Sequence, residues 1–259
     1  VKQANILYIL LALLALNAGQ MISGLRMRYY FGTAGLALSR RFAIALYYIG
    51  MLFSLVLPGG IGGDGYKVYF IQKTHDFPWK TALRLILSGR ASGLLLLVVF
   101  TLILGLFSPP LNSWPYTFIV LILGLILVFP AYSLLALLLL KEPLAVQMGA
   151  AKYSAMVQGL VLLTAMALLH ALGHTEHIID YVMLFMVSSV VSVIPVSIGG
   201  AGLRELTFFY GAAWFGLDQE LGVTLSILYF FVNILASLPG LVFFYGIKGQ
   251  NRKEQRSEG

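Results

Sequence analysis

The residues best placed to do chemistry lie in a ten-residue pattern that occurs twice. Pro58-Gly59-Gly60-Ile61-Gly62-Gly63-Asp64-Gly65-Tyr66-Lys67 and Pro195-Val196-Ser197-Ile198-Gly199-Gly200-Ala201-Gly202-Leu203-Arg204 share the form P-x-x-I-G-G-x-G-x-[KR]. Glycine lets another backbone or a ligand approach closely, while proline ends an incoming helix and removes one N–H donor. A helix that begins after such a turn aims free N–H groups and the positive end of its dipole at what lies in front of it, a setting that favours an anion. Lys67 and Arg204 add positive charge at the same place in each copy. The alternative is a tight packing turn with a snorkelling cation. Asp64 lies three residues before Lys67 and is spaced to neutralise it, whereas Glu205, next to Arg204, falls on a different helical face. Arg90, flanked by Gly89 and Gly93, opens an apolar run and reads equally well as an interfacial arginine.

Enzymatic chemistry finds less support. His174, His177 and Asp180 are three residues apart with Glu176 between them, a spacing that suits a metal. No H-E-x-x-H arrangement accompanies them, and a polar, solvated outer loop is the expectation. Ser197 lacks the G-x-S-x-G frame of a serine hydrolase, and neither glycine turn ends in the G-K-[ST] that nucleotide phosphates need. No cofactor and no metal is expected, and the chain is read as a carrier rather than an enzyme. Asn17, Gln20 and Asn233 fall inside apolar segments, where amides bond between helices more often than they bind substrate.

The elements that position these residues follow from composition. The 259 residues are 59% hydrophobic and 10% charged, against about 25% charged in an ordinary soluble domain. A water-soluble globule, a disordered chain and a nucleic-acid-binding module are excluded on that count. The formal charge of +7 fits an anionic membrane surface. Five segments are long and apolar enough to cross a bilayer: 5–24, 91–107, 117–140, 154–173 and 223–247. Two further stretches, 42–57 and 178–194, reach about 24 to 26 Å at the helical rise, and each runs into one of the glycine turns. Pro130 and Pro239 are expected to kink their helices.

Orientation follows from lysine and arginine, which are depleted in short translocated loops. The connectors 108–116, 174–180 and 218–222 contain none and belong outside. The connectors 26–41, 67–90, 141–152 and 248–256 hold most of the 17 and belong in the cytoplasm. The stretch 42–57 is then bracketed by cytoplasmic cations and must enter and return, while 178–194 and 203–217 lie between outer loops and dip in from the other face. The expected fold is all-α: a polytopic integral membrane helical bundle with two oppositely oriented re-entrant helical hairpins, an inverted repeat of the kind many transporters use. The amino terminus lies outside, and with no initiating methionine a trimmed preceding crossing is expected.

On these residues the chain resembles the lysylphosphatidylglycerol synthetase/flippase transmembrane-domain family: Pro58 to Lys67 with its G-G-D core, Arg90 before a glycine-containing apolar span, and Pro195 to Glu205 as P-x-S-I-G-G-x-G-x-R-E. The likeness extends over nearly the whole chain. It implies a domain that moves lipids between leaflets, the namesake moving aminoacylated phosphatidylglycerol and relatives being linked to other lipids or polyprenyl-linked sugars. By position it implies Asp64, Lys67, Arg90, Arg204 and Glu205 as substrate-binding cavity residues. The turn motif is formed by Pro58, Gly59, Gly60, Gly62, Gly63 and Gly65, and by Pro195, Ser197, Gly199, Gly200 and Gly202. Where members often carry an acidic residue before the arginine, Gly89 stands here. Residues 1–247 then make a single lipid-translocating transmembrane domain, with 248–259 a basic cytoplasmic tail. The partners implied are membrane phospholipid and the lipid bilayer, in a prokaryotic cell (inner) membrane, with a separate lipid synthetase or a second copy of the chain as protein partner. A lipid-modifying enzyme or an accessory subunit of a synthetase is the competing reading.

Overall fold

The computed structural model describes residues 5–56, 62–193 and 202–246, and every described element is helical. Pro58, Gly59, Gly60, Pro195, Ser197, Gly199 and Gly200, and the tail 248–259, lie outside the described residues. In chain order the helices are α1 (Ile6–Thr33), α2 (Arg40–Val56), α3 (Gly62–His75), α4 (Trp79–Leu106), α5 (Pro109–Asn112), α6 (Thr117–Leu140), α7 (Leu144–Ala171), α8 (Ile178–Val191), α9 (Leu203–Phe215) and α10 (Gln219–Ser237). After Leu238 helical structure resumes, so the last apolar helix runs to Gly246.

Local chemistry sets the ends. Asn5 caps α1 by accepting from the Leu7 N–H, Ser39 accepts from the Phe42 N–H at the start of α2, and Asp218 caps α10 through the Glu220 and Leu221 N–H groups. Prolines Pro78 and Pro143 stand immediately before α4 and α7, where their missing N–H costs nothing. Lys141 stops α6 in the left-handed region at φ 52°.

Five helices are long and apolar enough to span a membrane: Ile6–Thr33, Trp79–Leu106, Thr117–Leu140, Leu144–Ala171 and Gln219–Gly246. These are the five crossings expected from hydropathy, but three extend well past the expected ends. Helix α1 carries Arg26 and Arg28 within it, so the connector that follows is 34–39 and not 26–41. Arg90 does not open a crossing. It lies near the middle of α4, whose first turns occupy what reads in sequence as a basic loop. The physical reason is that polar side chains on α1 and α4 face the protein interior, so hydropathy ends sooner than the helix does.

The helices pack on small residues, as expected where hydrophobic contrast with lipid cannot hold helices together. Ala12, Ala15 and Gly19 are among the buried residues of α1, which packs along α7, where Ala150, Ser154, Ala165 and Ala171 are buried. Helix α2 is clasped by three glycines. A methyl group at Gly24 or Gly240 would stand 2.9 Å from Ile44 Cα or 2.6 Å from the Tyr48 carbonyl oxygen, and one at Gly63 would overlap the Gly50 carbonyl. Helix α6 is the opposite case: Ala136 alone among its residues is buried, and its lipid-compatible surface packs mainly along α4.

Side-chain contacts tie the helix ends into two groups. At one end Tyr30 donates to Glu142 (2.9 Å), Arg28 to the Leu38 carbonyl (2.7 Å), and the Phe42 and His75 rings meet at 5.0 Å. At the other, the Asn5 N–H reaches the Ala171 carbonyl, Ser108 donates to Asp180 (2.6 Å), Tyr181 donates to the Asp218 carbonyl (3.0 Å), and Trp114 lies against Trp214. The start of α2 and the end of α3 thus belong to the first group, and the start of α8 and the end of α9 to the second.

Candidate functional site

Helix α3 begins with Gly62 and Gly63, and Gly63 presses against Gly50 of α2 with no side chain between them. That approach fixes the first turn of α3, which carries Asp64 and Lys67 one turn apart. Lys67 Nζ lies 3.0 Å from Asp64 Oδ1 and 4.3 Å from the centre of the Tyr47 ring, a cation–π contact. The second oxygen of Asp64, Oδ2, is held by Arg90 Nε of α4. Asp64 and Lys67 are 6% and 7% exposed, so one buried carboxylate serves two cations from different helices.

Arg204 occupies the equivalent first turn of α9, after Gly202, whose φ of 88° is open to glycine. Its guanidinium carbon lies 4.9 Å from the Phe185 ring and 4.5 Å from the Tyr229 ring, and Nη1 donates to Ser189 Oγ at 3.2 Å. The planar cation is thereby stacked between two rings and oriented by a hydroxyl, a role that lysine does not fill. Glu205 is not brought to a cavity wall. It accepts from the N–H of Gly202 and from Ser226 Oγ of α10 (2.8 Å), which anchors the start of α9.

Two adjoining cavities contain these residues. The larger, about 970 Å³, is walled by apolar residues of α4 and α6, by the end of α2 at Met51 and Ser54, by Ser192 and Val193 after α8, and by Arg90 and Arg204. The smaller, about 240 Å³, is the more polar of the two and holds Arg26, Asp64, Lys67 and Arg90 together with Gln20 and Ser23. Met51, Ser54, Arg90 and Asn233 border both. Of the five residues implied by sequence, Asp64, Lys67, Arg90 and Arg204 therefore line these two adjoining cavities, with Arg90 common to both.

Arg26 is the residue the sequence reading missed. It is 7% exposed, its Nη1 donates to Ser154 Oγ (2.9 Å), and Ser154 in turn donates to Ser92 Oγ (3.2 Å). A methyl group at Gly93 would stand 3.1 Å from Arg26 Nη1, so Gly93 makes room for the guanidinium. The signal was present: Gln20, Ser23 and Arg26 recur every third residue and share one face of α1. Of the amides, Asn17 accepts from Tyr48 of α2 at 2.8 Å, an interhelical bond as expected, whereas Gln20 and Asn233 also face the cavities.

The histidine cluster is not wholly a solvated loop. Asp180 is 1% exposed, accepts from Ser108 and lies 3.4 Å from His177 Nδ1, which makes it a buried tie between α8 and the α4–α5 connector. Among the described residues no group of three or more potential ligand side chains is placed to hold a metal.

Five apolar helices around a basic, partly apolar cavity define a polytopic integral membrane protein. The family model for the lysylphosphatidylglycerol synthase TM region matches residues 1–148, over half of the chain, and the protein belongs to that family. Asp64, Lys67 and Arg90 fall inside the matched residues; Arg204 lies beyond them. No curated protein and no solved structure matches the chain.

Proposed function

We propose that the protein carries an anionic phospholipid or polyprenyl-linked lipid between leaflets of a prokaryotic cell membrane, through two helical hairpins that enter from opposite faces and meet at the joined cavity. The observation that carries this reading is that two adjoining cavities share Met51, Ser54, Arg90 and Asn233, the first turn of α3 lining the smaller and the end of α8 with the first turn of α9 lining the larger. The outer ends of the two hairpins belong to different groups of helix termini: the α2–α3 pair to the end rich in lysine and arginine, the α8–α9 pair to the end poor in them. Irregular backbone at membrane depth is tolerated where it lines a cavity, and hairpin tips meeting near the midplane are how many transporters build a binding site.

The chemistry is complementary to a lipid. The larger chamber offers apolar walls for acyl chains, and α6, exposed along nearly its whole length, separates it from the surrounding bilayer. Arginines at its inner wall give charge-assisted, bidentate hydrogen bonds to phosphate oxygens, which replace part of the water a headgroup loses on entering. A headgroup held there crosses at a lower cost than one drawn bare through hydrocarbon.

Purified protein in liposomes tests the reading: a fluorescent phosphatidylglycerol should exchange between leaflets at least about tenfold faster than in protein-free vesicles, a difference near 1.4 kcal/mol in barrier. Equal rates with and without protein would contradict it.

A further inference from the structure

The joined cavity carries an imbalance of charge. Its described walls hold four cations, Arg26, Lys67, Arg90 and Arg204, against one carboxylate, Asp64, a formal excess of three positive charges. Three of the four cations are more than nine-tenths buried. Asp64 is already divided between Lys67 and Arg90, while Arg26 and Arg204 are each bonded to a neutral serine. Nearby acids redress only part of it: Glu205, held by Ser226 and the Gly202 N–H, offsets some of the Arg204 charge, while Glu142 is held at Tyr30 and lines neither cavity. The segments 57–61 and 194–201, which lie outside the described residues, contain no ionisable residue in sequence.

Buried charge of one sign is costly in a membrane unless something neutralises it, and one counter-charge does not suffice here. A phosphodiester headgroup brings a single negative charge. An aminoacylated headgroup adds a cation and faces an excess of like charge. The positive groups are also divided between the chambers: Arg204 lines the larger, Arg26 and Lys67 the smaller, and Arg90 both. Two phosphoryl groups in series fit that layout.

We infer that the ligand of this cavity is a lipid whose headgroup carries two or more clustered negative charges, a lipid diphosphate, rather than a zwitterionic or amine-bearing phospholipid. The inference rests on the carrier reading for the lipid part of the ligand, and on the charges alone for the diphosphate.

Binding of ligands to the full-length protein in detergent, followed by titration calorimetry, tests it with five probes: farnesyl diphosphate, farnesyl monophosphate, phosphatidylcholine, lysyl-phosphatidylglycerol and inorganic pyrophosphate. Farnesyl diphosphate should bind about tenfold or more tighter than the monophosphate, a gap expected of one additional charge-assisted contact. Phosphatidylcholine and lysyl-phosphatidylglycerol should bind more weakly still. Arg26→Gln should weaken the diphosphate by about tenfold and Arg26→Lys by less, since the charge is kept. Should Arg26→Gln fail to fold, the salt dependence of the parent serves instead: diphosphate affinity must fall more steeply with salt than monophosphate affinity. Lysyl-phosphatidylglycerol or phosphatidylcholine binding as tightly as the diphosphate overturns the inference. Inorganic pyrophosphate binding as tightly as farnesyl diphosphate overturns the lipid assignment and makes the ligand a soluble anion. The two readings fail separately: lysyl-phosphatidylglycerol flux with weak diphosphate binding refutes this inference and spares the carrier. Tight diphosphate binding with no lipid flux does the reverse.

Discussion

Replacing Gly63 with alanine should distort the site at its base. The added methyl would overlap the Gly50 carbonyl oxygen and Ser54 Oγ and stand 2.8 Å from the Gly50 carbonyl carbon. Comfortable carbon–carbon contact needs about 3.5 to 4.0 Å, and the obstacle is helical backbone, which cannot rotate aside as a side chain does. Overpacking of this kind costs about 1–3 kcal/mol, and a backbone clash belongs at the upper end. At roughly 2–4 °C per kcal/mol for a chain of this size, the melting temperature should fall by about 6–12 °C. Gly65→Ala is the control from the same motif. It meets nothing within 4 Å, lies exposed in α3, and should gain up to about 1 kcal/mol from the better helix propensity of alanine. Both are read by tryptophan fluorescence during thermal unfolding in detergent. A Gly63→Ala protein melting within about 1 °C of the parent, or a Gly65→Ala protein falling as far as Gly63→Ala, would refute the claim that α2 and α3 cross backbone to backbone at this point.

Two further outcomes follow from the ion pairs and from the α6–α7 connector. Asp64→Asn leaves Lys67 and Arg90 without their shared carboxylate and should destabilise by about 3–5 kcal/mol, with Lys67→Gln added to it restoring part of the loss; a double mutant melting below Asp64→Asn would contradict the pairing. Burial pushes the Glu142 carboxyl up from its ordinary 4.5, opposed in part by hydrogen bonds from Tyr30 and Ser88. The folded chain therefore holds that proton to higher pH than the unfolded chain does, and stability falls as pH rises from the ordinary carboxylate range through the folded value. Glu142→Gln cannot ionise, so its melting temperature should gain on the parent as pH rises from the ordinary carboxylate range; identical pH profiles would show that Glu142 ionises as freely folded as unfolded.

The spans were legible because a bilayer imposes a length, and all five apolar segments are helices. Their ends were not, because Arg26, Arg28 and Arg90 look like loop residues to any scale that counts charge, while in the fold all three lie within helices and Arg26 and Arg90 line the polar cavity. The pair of motif cations, Lys67 and Arg204, was visible in the spacing, and so was Asp64 as the partner of Lys67. That Arg90 of α4 shares Asp64 was not visible, since the contact joins helices whose relative rotation no local pattern encodes. The same holds for Phe185 and Tyr229, which belong to no motif in the sequence and stack on Arg204 in the fold. Asp180 was read as solvated from its neighbours His174, Glu176 and His177, but the fold buries it under Ser108.

The central claim is that Arg90 and Arg204 act on one lipid in one cavity, and leaflet exchange of a labelled anionic lipid tests it through Arg90→Gln, Arg204→Gln and their combination, each checked for an unchanged melting temperature. Residues that share a ligand couple by about 0.5–3 kcal/mol, so the double mutant should lose clearly less than the product of the single losses. Losses that multiply would place the two arginines at independent sites, and exchange unaffected by either substitution would contradict the account.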